Sequence, residues 1–382
     1  GFTMESATPK AAVGDSFWKI GTLGPGTERH IVLMGVFDGI GGEVRALRAG
    51  LGSFNERTKE WKPWREATEE VTLTSSPFLL TTRINGKRDG VIHFEEDANV
   101  VVEYANRSAV AVRNISVQVR IEGEVADLTS MTVGSGGEFD ARTGAVVWGP
   151  GGTAALREVI PDERGELQVS IHTKKRPVMQ SSADTNMTFR IRTSIATPDM
   201  PRELEGTKLS PDDVVELKVA TVTLFSGRAV FRASPIANTG PLPPRQGEKT
   251  TYVIIWEARN FTNAVENGEF VARLPPNIRW EGAIHPSDAD ITYNESASEV
   301  RWRLGRLAPG TGVLTPARTA AFQISFVPAP SDGRKSPVLI HEASFTGKDM
   351  FTSEDIKARI DALTTELHDD TTTTQKDWYV VD

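Results

Sequence analysis

Cysteine is absent from this 382-residue chain, which excludes disulfide frameworks, thiolate metal sites and cysteine nucleophiles. No run of 18 apolar residues occurs, so no segment reads as a membrane-spanning helix. There is no Gly-x-Ser-x-Gly elbow and no His-Glu-x-x-His, and the six histidines are isolated from one another. Basic residues nowhere cluster with interleaved aromatics, and the net charge is −8 with a pI near 5.5, so no electrostatic footprint for nucleic acid exists. Gly247-Glu-Lys-Thr250 has a phosphate-loop composition, but Glu248 breaks the Gly-Lys-Thr order. The stretch from Gly240 to Thr250 therefore reads as a Pro-rich interdomain linker. Val36 to Gly42 is glycine-rich without dinucleotide spacing and reads as a hairpin turn. These absences point away from an enzyme, with no catalytic residue and no cofactor expected. The chain opens at Gly1 without a basic-then-apolar leader, which suggests a processed product or a fragment.

What is present is sandwich-like. Hydrophobic residues make up 38% of the chain and charged residues 25%, enough to bury cores. Short runs rich in Val, Ile, Thr and aromatics alternate with period two between Gly, Pro, Asn and Asp clusters. Proline is scattered in a way long helices do not tolerate. The one helix candidate, Ser353 to Leu367, also alternates at Ile356, Ala358, Ile360 and Ala362, and reads as strand.

The chain repeats. Phe17-Trp18-Lys-Ile-Gly-Thr-Leu-Gly-Pro-Gly26, Val147-Trp148-Gly-Pro-Gly-Gly152 and Arg301-Trp302-Arg-Leu-Gly-Arg-Leu-Ala-Pro-Gly310 are versions of one phrase. A second landmark closes each unit: Glu70 to Thr74, Ala220 to Phe225 and Ala362 to Leu367. A third opens the two complete units, Ala98 to Asn106 and Lys249 to Asn260. The period is roughly 145 residues, with indels of the kind surface loops accept. Trp18, Trp148 and Trp302 are the expected core anchors, since an indole buries about 200 Å² and can pin two facing sheets. Four of the other tryptophans, Trp61, Trp64, Trp280 and Trp378, suit core, interdomain or subunit contacts.

The strings Asp140 to Trp148 and Tyr293 to Gly310 resemble the core of the immunoglobulin-like conserved repeats of large microbial surface proteins, the family called domain of unknown function eleven. Asn260 to Gly268 and Leu274-Pro-Pro-Asn-Ile278 are similar to that family's Asn-rich turn and Leu-Pro exit. The second unit departs from it, with Gly149-Pro-Gly-Gly in place of the longer turn. The resemblance implies a structural or adhesive role at a cell surface and carries no catalytic residues.

The expectation is therefore an all-β chain of tandem immunoglobulin-like sandwiches. Residues 1–73 form a partial module comprising the rear half only, 74–228 and 229–368 form complete modules, and 369–382 form a linker and terminal strand. The expected role is a structural subunit or spacer of an extracellular fibre, filament, stalk or surface layer, associating with itself or with neighbouring domains. The alternative is an adhesin or carbohydrate-binding region of a secreted protein; an accessory region of a secreted hydrolase or a viral tail fibre also fits. An incomplete first module could be completed by a strand from another subunit, with Trp378-Tyr379-Val380-Val381 as the donor. Calcium is the one cofactor considered, with Asp369 and Asp370 first, then Asp288 and Asp290. Glu95-Glu96-Asp97 and Asp212-Asp213 are further acidic clusters, and none of these completes a six-to-eight-oxygen loop locally. Five Asn-x-Ser/Thr sequons begin at Asn106, Asn114, Asn186, Asn260 and Asn294, which would matter if the chain is exported and glycosylated.

Overall fold

Alternating apolar runs separated by turn residues become strands almost everywhere. A computed structural model describes residues 2–12, 16–37, 43–55, 57–58, 60–72 and 76–382. Residues 38–42 of the glycine turn expected over Val36 to Gly42, and the expected domain boundary at 73/74, lie outside these. The described residues contain no α-helix, only strands and four short 3-10 turns. They divide into two compact units: residues 1–77 with 206–209, and residues 78–205 with 210–382.

The first unit holds two separate antiparallel ladders. β1 (Phe2–Thr8) pairs with β2 (Val32–Phe37), and β3 (Val44–Asn55) pairs with β4 (Glu60–Thr72). Neither ladder gains a third strand among the described residues. Almost every side chain of β4 is exposed, so this region lacks the one-face-buried pattern of a closed sandwich.

The second unit contains two complete modules built on one plan. In the first of them, module two, the strands are β5 (Phe78–Ile84), β6 (Asp97–Asn106), β7 (Ser116–Glu122), β8 (Ala126–Val133), β9 (Gly137–Asp140), β10 (Ala145–Trp148), β11 (Arg164–Thr173), β12 (Thr188–Ala196) and β13 (Asp213–Val219). One sheet has the order β8-β11-β6-β5 and the other β9-β10-β7-β12-β13, with the short strand Val91–Ile92 added beside β13. Module three has β14 (Thr223–Val230), β15 (Thr250–Asn260), β16 (Val265–Arg273), β17 (Ile278–His285), β18 (Ile291–Asn294), β19 (Glu299–Leu307), β20 (Arg318–Phe326), β21 (Ala343–Asp349) and β22 (Asp355–Ile360). Its sheets run β17-β20-β15-β14 and β18-β19-β16-β21-β22. The two orders are the same, strand for strand. This is the immunoglobulin-like sandwich, A-B-E-D facing G-F-C, with a hairpin added beside C. Ser353 to Leu367 contributes strand β22 and no helix.

Register carries the equivalence down to residues. Phe78 pairs with Asn106 and Thr223 with Asn260, so Val102 matches Trp256 and Glu103 matches Glu257. The ion pair Arg83–Glu103 at 2.8 Å accordingly recurs as Arg228–Glu257 at 3.5 Å. Trp148 pairs with Val117, itself opposite Ile195; Trp302 pairs with Phe270, itself opposite Phe345.

One boundary moves. The landmark Ala220 to Phe225 straddles a junction: Ala220 ends module two, whereas Thr223 to Phe225 begin β14 of module three. Module three therefore starts near 221, ahead of the expected 229. An apolar extended string reads alike at the end of one sandwich and at the start of the next. By the same token, Ala98–Asn106 and Thr250–Asn260 are second strands of their modules.

The Pro-rich stretch from Gly240 to Thr250 is likewise no interdomain linker. It lies inside module three between β14 and β15. There Thr239 N donates to Thr251 Oγ1 at 2.7 Å, and Thr251 N donates back to Thr239 O at 2.9 Å. β15 is buried on both faces. Val253 and Ile255 form, with Val230 and Ala321, a second small core against which Ile236 packs, so the 231–249 excursion covers a face that would otherwise be wet.

Candidate functional site

Modules two and three meet through a polar joint that is almost entirely buried. It forms where β13 leaves module two and faces the β15–β16 loop and the β21–β22 turn of module three. Its centre is Asp349, only 1% exposed. One carboxylate oxygen accepts from Thr221 N at 2.9 Å and from Asn263 Nδ2 at 2.9 Å. The other accepts from Phe351 N at 2.8 Å and Thr352 N at 3.1 Å. Four N–H donors thus hold a buried negative charge with no cation in the set, which meets the requirement that a desolvated carboxylate be fully hydrogen-bonded.

Asn263 ties the joint to the body of module two. Its Nδ2 also donates to Val219 O at 2.9 Å, and its Oδ1 accepts from Asn186 N at 3.2 Å. Thr221 adds a relay: its hydroxyl donates to Asn260 Oδ1 at 2.8 Å and accepts from Thr262 N at 3.0 Å. Asn260, Thr262 and Asn263 have no exposed surface. At the rim, Lys218 Nζ donates to Phe351 O at 3.0 Å and lies 5.0 Å from the Phe351 ring centroid, and His93 Nε2 lies 2.9 Å from a Glu354 carboxylate oxygen.

Asn260 belongs to a lock found in both modules. It ends β15 and donates its amide to Asn263 O, Leu307 O and Ala308 O, while Asn106 ends β6 and donates to Val110 O and Val159 O. Each buried amide thus ties together carbonyls of two separate segments, Val110 and Val159 in module two and Asn263 with Leu307 and Ala308 in module three. The terminal Asn of the third sequence landmark was visible as a repeat; nothing in the sequence singles out Asp349 or Thr221.

Of the expected core anchors, Trp148 and Trp302 are buried at equivalent positions. Trp302 stacks on Phe270 at 5.1 Å, and Phe270 stacks on Trp256 at 5.5 Å, so Trp256 is an equally central indole that lies outside the repeated phrase. Trp18 sits outside any strand and is half-buried, its indole N–H donating to Pro9 O at 2.8 Å. Trp61 and Trp64 are exposed on β4, while Trp280 is half-buried and stacks on Tyr293.

The acidic candidates are not brought together. Asp370 is buried and accepts from Phe231 N at 2.8 Å and Arg232 N at 2.7 Å, with further bonds from Ala233 N and Thr372. Burial pushes its carboxyl up, but the Thr372 hydroxyl and these backbone donors outweigh it and hold it below the usual aspartate range. Its neighbour Asp369 is exposed, as are Asp288 and Asp290, and Asp290 lies 3.6 Å from Arg303. His172 takes Asp97, and Arg88 grips Asp213 with both nitrogens. Among the described residues, no group of three His, Asp or Glu is placed to hold a metal ion.

The expected donor strand is engaged within its own module. Val380 is buried in the core of module three; Val381 N donates to Pro244 O at 2.9 Å, and Gln246 N donates to Val381 O at 3.0 Å. Trp378 packs edge-on against His368 at 4.4 Å, and its carbonyl accepts from Thr365 Oγ1 at 2.6 Å. Residues 369–382 thus close module three, and Asp370 pins them to the end of β14. Donating Trp378 to Val381 elsewhere would expose Val380 and unpair these backbone groups.

No family model matches the chain, and no curated protein matches it. Among solved structures it is similar to the C-terminal domain of the Streptococcus pyogenes antigen I/II-family protein AspA, at 10% identity and TM-score 0.31, covering 75% of this chain and 99% of that one. The C-terminal domain of the Streptococcus agalactiae antigen I/II polypeptide BspA aligns at 8% identity and TM-score 0.29, covering 75% and 99%. The full-length major pilin SpaD from Corynebacterium diphtheriae aligns at 10% identity and TM-score 0.26, covering 66% of this chain and 59% of that one. Superpositions this loose add nothing to the strand orders given above.

Proposed function

We propose that this chain is a non-enzymatic spacer or structural subunit of an extracellular surface assembly, and that its modules are conserved repeats of the domain of unknown function eleven type. The observation that carries this reading is the joint. Two like sandwiches are linked through Asn263, whose Nδ2 donates to Val219 O and whose Oδ1 accepts from Asn186 N of module two. The buried Asp349 carboxylate holds that amide in place, and bending there would leave these groups unpaired, costing about 1–3 kcal/mol each. A module pair held in this way keeps a fixed angle, which a stalk or fibre needs. In repeat proteins stability comes from modules plus nearest-neighbour interfaces, and such an interface transmits stiffness along the array. Electron microscopy of native material, with intact mass to define the mature chain, tests the reading. Regular fibres or lattices, or rods in which modules two and three keep one angle, are expected. Particles in which these two modules point in many directions would overturn it.

A carbohydrate-binding surface is the second reading, and one observation favours it. In the first unit, Trp61 lines an open depression of ≈ 910 Å³ together with Phe17, Trp18 and Leu33. Exposed indole faces are suited to stacking on sugar rings. Specific retention on a glycan array, lost in Trp61→Ala, would move the assignment from spacer to adhesin.

A further inference from the structure

Five sequons are equal in the sequence and unequal in the structure. Asn106 and Asn260 are fully buried, with Nδ2 committed to loop carbonyls, so a sugar on either would be incompatible with its folded module. Asn114 is exposed, but its Nδ2 is taken by the Asp199 carboxylate. Asn186 is exposed at φ +54° in the turn before β12, and its backbone N–H is bound by Asn263 inside the joint.

Asn294 differs from all four. It ends β18 at the exposed tip of the β18–β19 hairpin, away from the joint. Its Oδ1 accepts from Ser296 Oγ at 2.8 Å and from Ala297 N at 3.2 Å, while its Nδ2 has no protein partner among the described residues. The sequon hydroxyl is therefore already on the amide oxygen. These bonds fix the amide through its oxygen and leave Nδ2 uncommitted on an exposed residue. Beside it lies an open polar depression of ≈ 970 Å³, lined by Tyr293, Glu299, Arg301 and Arg303, which gives a bulky substituent room.

We propose that Asn294 is the acceptor of an N-linked glycan. The step joins Nδ2 to C1 of a lipid-phosphate-activated sugar. The C1–O bond to phosphate breaks, the lipid phosphate leaves with the bonding pair, and one Nδ2 proton passes to a base; no oxidant or reductant is needed. The test is the full chain secreted from cultured eukaryotic cells, whose secretory pathway supplies a lipid-linked oligosaccharide. Peptide mass spectrometry after glycosidase release in heavy-oxygen water then marks each occupied Asn. The expected result is a mark at Asn294 and none at Asn106 or Asn260 in the folded product. The mark should vanish in Asn294→Gln and Ser296→Ala and persist in Ser296→Thr, with thermal unfolding unchanged in all three. Secreted, folded protein carrying no mark at Asn294, marks at Asn114 or Asn186 alone, or full occupancy in Ser296→Ala would each overturn the proposal.

Discussion

Modules two and three share their nine main strand positions and differ in what fills them. Module three has an aromatic core: Phe225, Trp256, Phe270, Trp302, Phe322 and Phe345 touch ring to ring. Module two has no aromatic pair among its described residues; Phe78, Tyr104, Trp148 and Phe189 are each buried singly among Val, Ile and Leu. The exchange conserves volume locally. The cross-strand pair Val102–Leu167 becomes Trp256–Ala320, a large residue gained on one strand against a small one on the next. Beside the repeated indole the sense reverses: Ile291 pairs with Trp302, but Gly137 pairs with Trp148, and a Cβ at Gly137 would lie 2.5 Å from the ring nitrogen. Strand order is thus set by register and by the buried-face pattern, while many side-chain solutions fill the space between.

The sharpest way to break this comparison is to truncate the equivalent indoles. Trp148→Ala and Trp302→Ala should each destabilise their own module by about 3–5 kcal/mol. The loss should be greater in module three, because each ring contact there adds about 0.5–1.5 kcal/mol beyond area. Urea unfolding followed by near-UV circular dichroism measures both, and equal losses would show that stacking contributes nothing. At the joint, Asp349→Ala strands four donors. It should separate the unfolding of the two modules into distinct transitions and cost about 2–3 kcal/mol, the scale of hydrogen bonds to a charged group; calorimetry that still shows one coupled transition would refute the joint's role.

Next comes the lock shared by both modules. Asn106→Ala and Asn260→Ala should each cost about 1–3 kcal/mol through unpaired buried carbonyls. Asn260→Ala should additionally loosen the joint through Thr221, visible as faster amide exchange at Thr221 and Thr262. The terminal segment should be the most acid-sensitive element. Asp370 has a depressed folded pKa, so its contribution is present above the ordinary aspartate value and is lost as pH falls through the folded one. Amide exchange at Phe231 and Arg232 should therefore rise in acid before the sandwich cores open, and Asp370→Asn should flatten that response. The smallest effect is expected at the repeated surface pair: Arg83→Ala and Arg228→Ala should each change stability by about 1 kcal/mol or less.

Much of this was legible before any coordinates. Period-two alternation and the Trp-turn phrase announce sandwiches, and two of the three repeated tryptophans occupy one structural position. The joint was not legible, because Thr221, Asn263 and Asp349 are far apart in the chain and each is an ordinary turn residue by itself. The boundary near 221 was obscured because one string serves two modules. The cis placement of Trp378 to Val381 was obscured because an apolar β-run does not say which edge it will join.

The sequence alone determined the class of fold and its repetition, since side-chain periodicity and turn residues are local properties that each segment carries with it. Tertiary structure alone decided which polar groups are buried, which sequon faces solvent and how one module is fastened to the next. Burial and hydrogen-bond partnership belong to pairs of residues distant along the chain, and only the folded arrangement brings those pairs together.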